Sequence, residues 1–263
     1  MNRIERKFNQ IRRINKKAFI AFITAGYPNL KTTELLVKEF SKIGVDIIEL
    51  GVPFSDPMAD GPIIQEASQS ALQKGVHLQD ILNLVKKLRS RRLDTPICLM
   101  TYYNPIFCYG EKKFARVAYI AGVDGVIIPD LPPEEGQTFM RLMNQFNLDT
   151  ILFLAPTTTP KRIKLISRLT QGFIYYVSLT GVTGPRQNLP CDLLLKLKEI
   201  KKITTKPVCV GFGVSSPKQV KQIYQIADGV IVGSAIIKKI KENINSKRLV
   251  ESVGRFVADL KNV

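Results

Sequence analysis

The chain has 263 residues, of which 45% are hydrophobic, and a formal net charge of +17 at pH 7. A chain of this length can bury a sizeable core, and it contains no apolar run close to the ~20 residues that span a bilayer. The first residues are basic and lack the apolar core of a secretory signal. Composition therefore argues against a membrane protein and against an exported one.

The large positive charge raises the possibility of a nucleic-acid-binding protein. The basic residues are spread over many predicted helices, and no basic segment interleaved with aromatic residues stands out. A solvated, lysine-rich helical shell explains this better, so no nucleic-acid partner is predicted. The chain has four cysteines without a Cys-x-x-Cys pair and a single histidine, so no metal site is predicted and the thiols are expected to be reduced.

Strand-like and helix-like apolar patterns alternate along the chain. An amphipathic helix is predicted over residues 3–14, outside the main repeat. The predicted strands are short, continuous and rich in β-branched residues, and they cover 18–24, 46–50, 97–100, 125–128, 150–154, 173–178, 208–210 and 229–232. Helices are predicted at 30–43, 63–74, 78–91, 112–121, 134–146, 160–169, 193–203 and 216–226, followed by a short one from Ser234 and a longer one over 247–260.

Eight strand–helix units in a chain of this length predict a single-domain (β/α)8 TIM barrel over residues 1–263, with an extra N-terminal helix. A doubly wound open sheet is the alternative fold. The first strand–helix turn, at 24–29, lacks the Gly-x-Gly-x-x-Gly fingerprint, which disfavours a dinucleotide-binding sheet.

The stretch 46–62 carries two carboxylates in unusual places. Glu49 lies near the end of an apolar strand, where burial is costly unless the carboxylate is used or paired. Asp60 follows on a loop whose three prolines restrict its backbone. The pair suits general acid–base catalysis on a small molecule. A salt-bridged glutamate and an Asx turn at Asp60 explain the same residues.

In a barrel, functional residues are expected on the loops that follow the strands. Gly213 follows the seventh predicted strand, and Gly233 with Ser234 opens a short helix after the eighth. Glycines let backbone N–H groups approach an anion, and the helix terminus adds a favourable dipole. These residues therefore predict a phosphate site, with two ordinary glycine turns as the alternative.

Large apolar side chains lie near the ends of several predicted strands, namely Phe22, Met100, Ile127, Tyr175 and Phe212. They are suited to wall a flat pocket for an aromatic ring, although core packing explains each of them as well. The loop 179–190 is longer than usual for a strand–helix connection. It is expected to close over a ligand as a lid, with a plain surface loop as the alternative.

Several segments resemble, in the same order, the signatures of the tryptophan synthase alpha family. The longest is Glu-Leu-Gly-Val-Pro-Phe-Ser-Asp-Pro-Met-Ala-Asp-Gly-Pro at 49–62. The others are Thr-Ala-Gly-Tyr-Pro at 24–28, Met-Thr-Tyr-Tyr-Asn-Pro at 100–105, Pro-Asp-Leu-Pro-Pro at 129–133, Gly-Val-Thr-Gly at 181–184, Gly-Phe-Gly-Val-Ser-Ser at 211–216 and Gly-Ser-Ala at 233–235. The resemblance covers nearly the whole chain.

The resemblance implies a reversible retro-aldol cleavage of indole-3-glycerol phosphate to indole and D-glyceraldehyde 3-phosphate. It implies that Glu49 is the general acid–base and that Asp60 receives the indole N–H. It also adds residues to the two predicted sites, namely Tyr102 and Thr183 to the substrate pocket and Gly184 to the phosphate site.

The resemblance further implies a partner, a beta chain that carries pyridoxal phosphate, in an alpha2-beta2 heterotetramer; this chain itself needs no cofactor. The expected contact surfaces are the loops 53–62 and 129–133, and the outer residues of the first, Pro53, Phe54 and Asp56, have no evident role in the pocket. The alternatives are a stand-alone indole-3-glycerol-phosphate lyase and a basic binding protein on a barrel scaffold that has lost catalysis. The chain is expected in a bacterial cytoplasm, or in the plastid stroma if it is organelle-encoded.

Overall fold

The computed structural model describes residues 2–177, 191–211 and 213–263. Parallel strands form a closed barrel in which each strand pairs with the next one along the chain, and β1 pairs with β8. The strands are β1 Ala18–Thr24, β2 Ile47–Gly51, β3 Ile97–Met100, β4 Gly125–Ile127, β5 Asp149–Leu154, β6 Ile174–Val177, β7 Val208–Gly211 and β8 Gly229–Val232. The predicted (β/α)8 barrel is confirmed, and the open sheet is excluded because the ring closes.

Helices surround the barrel in the part of the chain that is described. They are α1 Arg3–Arg13, α2 Leu30–Lys42, α3 Pro62–Gln73, α4 Leu78–Ser90, α5 Tyr103–Tyr109, α6 Glu111–Ala121, α7 Gln137–Gln145, α8 Pro160–Leu169, α9 Cys191–Ile203, α10 Pro217–Tyr224, α11 Ser234–Glu242 and α12 Leu249–Lys261. None of the described helices is long and apolar enough to cross a membrane.

Two helices differ from the sequence prediction by more than two residues. Helix α5 was not predicted, because Asn104-Pro105 resembles a turn. Pro105 lies in the first turn of α5, where an N–H group has no partner within the helix, so the proline costs little there. Helix α7 begins at Gln137 rather than at Glu134, because residues 133–135 form a turn that starts at the second of two consecutive prolines.

Alternate residues of each strand point into the barrel, and the inward side chains form a cluster of their own. Its centre contains Ile20, Ile47, Cys98, Ile127 and Cys209, among others, all at most 3% exposed. Helix α1 closes the amino-terminal end of the barrel with Ile4, Phe8 and Ile11. The same alternation turns Phe22, Glu49, Met100 and Tyr175 inward near the other end, so these four side chains meet at the carboxyl-terminal mouth.

Candidate active site

A cavity of about 370 Å³ opens at the carboxyl-terminal end of the barrel. Its lining is mainly apolar and aromatic, and Asp60 is the one carboxylate in it among the described residues. The lining comprises Phe22, Ala59, Asp60, Gly61, Ile64, Met100, Pro129, Phe153, Tyr175, Val177, Gly211, Gly213, Ile231, Gly233 and Ser234. A small apolar cavity with few polar groups is typical of a site for a small molecule.

Two aromatic side chains that line the cavity lie close to glycines at strand ends. A Cβ atom on Gly211 would lie 2.6 Å from Cε1 of Tyr175, and one on Gly51 would lie 2.7 Å from Cζ of Phe22. Any larger residue there would displace a ring. Phe153 packs against Tyr175 with ring centroids 4.9 Å apart. These glycines thus set the positions of the rings and the width of the cavity.

Glu49 lies behind this lining and is completely buried. Neither carboxylate oxygen has a hydrogen-bond partner among the described residues, so the salt-bridged glutamate considered above is not formed there. Burial in apolar surroundings, and secondarily the charge of Asp60, raises the pKa of Glu49 from 4.5 to about 8. In the absence of a ligand, Glu49 is therefore mostly a neutral acid at pH 7.

Asp60 has a different environment because Tyr102 contacts it. The Tyr102 hydroxyl donates to Oδ2 of Asp60 at 3.1 Å and accepts the N–H of Ala59 at 2.9 Å. Burial raises the pKa of Asp60 to about 6, and the hydrogen bond from Tyr102 opposes this rise. Asp60 is therefore mostly ionised at pH 7, while Glu49 is mostly neutral. Environments that separate two carboxyl groups in this way allow one to act as an acid and the other as a base.

The loop that carries Asp60 connects the cavity to the protein surface. Phe54 stacks on Tyr102, with ring centroids 5.2 Å apart and an interplanar angle of 29°. Phe54 is half-buried and Asp56 is exposed, but Pro53 is buried, so its predicted place among the outer residues of the loop is wrong. Met58, at 82% exposure, is the most exposed large apolar side chain of the described residues.

Gly213, Gly233 and Ser234 meet on the opposite wall of the cavity. Gly213 has a φ of +47°, and a Cβ atom there would have no neighbour within 4 Å, so the wall is open at this point. Gly233 precedes α11, and no described side chain caps the amino terminus of that helix. Free N–H groups at a helix start, next to glycine, are a suitable setting for an anion.

The structure does not bring every predicted residue to the cavity lining. Ile127 is fully buried in the barrel centre, and Tyr102 acts on the cavity through Asp60. Thr183, Gly184, Phe212 and the predicted lid lie outside the described residues. Sequence reasoning missed Phe153, although it shares the inward alternation of β5 with Ile151. No cluster of His, Cys, Asp and Glu suited to a metal ion is present among the described residues.

Enzymes of the (β/α)8 class carry their active sites at this end of the barrel, and this chain has both the barrel and a cavity at that end. The family model for the tryptophan synthase alpha chain matches residues 8–262. The tryptophan synthase alpha chain of Geotalea uraniireducens (strain Rf4) is 48% identical, with 99% of this chain and 97% of that protein covered. The alpha chain of Thermoanaerobacter pseudethanolicus is 43% identical, with 100% of each covered.

Solved structures of the same family have the same fold as this chain. Tryptophan synthase subunit alpha from Legionella pneumophila str. Paris is 38% identical and superimposes with a TM-score of 0.93, covering 100% of this chain and 98% of that one. The chain belongs to the tryptophan synthase alpha chain family, and it is accordingly a lyase of tryptophan biosynthesis.

Proposed function

We propose that this chain cleaves indole-3-glycerol phosphate to indole and D-glyceraldehyde 3-phosphate, with Glu49 moving the protons and Asp60 accepting the indole N–H. The observation that carries this proposal is the difference between the two carboxyl groups, whose pKa values are about 8 and about 6. At pH 7 one group holds a proton to donate, and the other holds a negative charge. The apolar cavity beside Asp60 suits a flat indole ring.

The reaction follows from these charges. Neutral Glu49 donates its proton to C3 of the indole, and positive charge then develops at the ring nitrogen, where ionised Asp60 stabilises it. The bond between C3 and the glycerol carbon breaks, and its electron pair restores the aromatic ring. The hydroxyl on that glycerol carbon loses its proton to Glu49 and becomes the aldehyde oxygen. Glu49 ends as it began, so no other proton source is needed.

The proposed phosphate site is tested by Ser234→Asp. The new carboxylate would lie at the start of α11 and compete with the phosphate for the same N–H groups. We expect weaker binding of glycerol phosphate, by about tenfold or more for a loss of 1.4 kcal/mol, with little change for free indole. Ser234→Ala is the matched control. Equal weakening of both ligands would place the phosphate elsewhere.

We further propose that a pyridoxal-phosphate-dependent beta chain binds around the mouth of the barrel, in an alpha2-beta2 heterotetramer. Apolar side chains are exposed there on two neighbouring segments, Met58 on the Asp60 loop and Phe107, at 64% exposure, on α5. Large apolar side chains left exposed at one end of a fold are typical of a protein contact. A partner that holds this loop also reaches Asp60, through the stack of Phe54 on Tyr102.

The partner proposal is tested by Phe54→Ala, with indole release from indole-3-glycerol phosphate measured with and without excess beta chain. Loss of the stack frees Tyr102, so we expect a small loss of basal activity and about tenfold less activation by the beta chain, the effect of 1.4 kcal/mol. Tyr119→Ala removes an aromatic ring that is exposed on α6 and is the control. Full wild-type activity without any beta chain would favour the stand-alone lyase.

We also infer that residues 1–263 form one domain, since pairing of β1 with β8 joins the first and last parts of the chain in one sheet. The bacterial origin of the relatives supports a bacterial cytoplasm as the location, with a plastid stroma as the counterpart for an organelle gene.

A further inference from the structure

A second cavity, of about 550 Å³, opens at the amino-terminal end of the barrel, opposite the active site. We call it the basal cleft, and it lies between α1, α2, the end of α4 and the segment 91–96. Its lining holds four arginines and three lysines but a single carboxylate, that of Asp94. The cleft is thus a concave, strongly positive surface that the proposed reaction does not use.

Ion pairs within the described chain neutralise only part of this charge. Glu34 accepts from Lys38, Lys87 and Arg91, and Asp94 from two arginines of α1. Seven basic side chains line the cleft, and two more, Lys87 and Arg89, share carboxylate partners with them. These nine cations are matched by five described carboxylates, those of Glu34, Glu39, Asp46, Asp94 and Asp124. Like charges held together in a cleft repel one another, so an anion bound there would be favoured.

Arg92 adds an independent observation. It lies two residues beyond the end of α4 with a φ of +62°, in the left-handed region that disfavours most side chains. Two residues beyond the ends of four other helices, the chain also adopts a positive φ. The residue there is Gly44 after α2, Gly75 after α3, Asn15 after α1 and Asn147 after α7. The guanidinium of Arg92 has no carboxylate partner among the described residues. An arginine therefore occupies a position better suited to glycine, and its positive charge lines the cleft without an ion-pair partner among the described residues.

The donors in the cleft indicate which anion fits. Guanidinium groups present paired N–H donors that match phosphate oxygens, and four of them line this cleft. The hydroxyls of Ser41 and Thr95, 2.7 Å apart, lie in the same lining. The cavity volume of about 550 Å³ falls in the range of about 300–1,000 Å³ typical of small-molecule sites and leaves room for more than one phosphate group. The number of cationic donors therefore favours a ligand with several linked phosphates, and the size accommodates one.

We propose that the basal cleft binds a polyphosphate, either inorganic or the phosphate chain of a nucleotide. The ligand bridges α1, through Arg3, Arg6 and Lys7, to the segment after α4, through Arg91 and Arg92. Because α1 closes the end of the barrel with its apolar face, a bridging ligand holds this closure in place. Binding therefore raises the melting temperature of the full chain, as any ligand specific for the folded state does.

The test is calorimetric titration of the full chain with sodium tripolyphosphate at about 0.15 M salt, where non-specific attraction between exposed charges is largely screened. We expect saturable binding at one site, unchanged by saturating glycerol phosphate. Arg92→Gly should weaken it by about 10- to 100-fold, the range for one hydrogen bond between charged groups. The same variant should melt at a higher temperature without ligand, because glycine relieves the left-handed backbone. A loss of binding with a gain in stability separates the site from a folding defect.

Two controls separate the site from general charge attraction. Arg92→Lys keeps the charge and should retain part of the affinity, whereas Arg168→Gln removes one charge from an exposed position on α8 and should change nothing. A titration with ATP in place of tripolyphosphate distinguishes the two kinds of ligand. Tighter binding of ATP would identify the ligand as a nucleotide, and weaker binding would identify it as an inorganic polyphosphate. Citrate binding as tightly as tripolyphosphate, equal losses in Arg92→Gly and Arg168→Gln, or no saturable binding would each overturn the proposal.

Discussion

Glu49→Gln is expected to lower kcat/KM for indole release by about 10²- to 10⁴-fold, the contribution typical of a positioned general acid–base. The amide has nearly the shape of the carboxyl group but neither donates the proton to C3 nor accepts it from the glycerol hydroxyl. Glutamine matches the neutral Glu49 acid in size and charge, so binding of a substrate analogue should persist. Retention of more than a few per cent of wild-type turnover would remove Glu49 from its proposed role.

The same substitution should stabilise the protein in a pH-dependent way. Below pH 4.5, Glu49 is protonated in both the folded and the unfolded chain, so it contributes no pH dependence. Between 4.5 and about 8 the unfolded chain releases this proton and the folded chain retains it, so wild-type stability falls as pH rises. This loss of folding stability reaches its full size above about pH 8 and is on the order of a few kcal/mol. The melting temperature of Glu49→Gln should exceed that of the wild type by a margin that grows from pH 5 to pH 8.

Asp60→Asn is expected to lower kcat by about 10²- to 10³-fold, the effect of removing one preorganised electrostatic group from a transition state. The asparagine oxygen still accepts the indole N–H but carries no charge to stabilise the positive ring. KM should therefore change much less than kcat, and measuring the two separately tests this. Tyr102→Phe is the matched comparison, because it keeps the Asp60 carboxylate and removes the hydrogen bonds that the Tyr102 hydroxyl makes with Asp60 and with Ala59. A larger loss for Tyr102→Phe than for Asp60→Asn would contradict the role given to the charge.

The fold and the two carboxylates were accessible from the sequence because both depend on local patterns. Short β-branched strands alternating with helices predict the barrel, and a glutamate within an apolar strand stands out without any structure. The contact between Tyr102 and Asp60 joins residues 42 positions apart, and the stack of Phe54 on Tyr102 depends on the same tertiary approach. The separation of the two pKa values likewise requires the folded environment.

Two errors show where local patterns fail. Asn104-Pro105 signals a turn, yet tertiary packing retains a helix whose first turn accepts the proline. Pro53 was placed on the outer surface because loops are usually exposed, but it is buried at the end of the strand. The basal cleft was invisible for a related reason, because α1 and the segment after α4 contribute to it from positions nearly ninety residues apart, as in the bond from Arg6 to Asp94.

The central claim is that Glu49 is neutral and Asp60 ionised at the same pH, and the pH dependence of kcat/KM tests it most directly. Wild-type kcat/KM should be bell-shaped, falling below about pH 6 as Asp60 is protonated and above about pH 8 as Glu49 ionises. The substrate phosphate also titrates near pH 6. Asp60→Asn separates the two groups, because it should flatten the acid limb and keep an alkaline limb, shifted to lower pH because the charge of Asp60 no longer raises the pKa of Glu49. A wild-type profile that is flat from pH 5 to pH 9, or an acid limb unchanged in Asp60→Asn, would contradict the account.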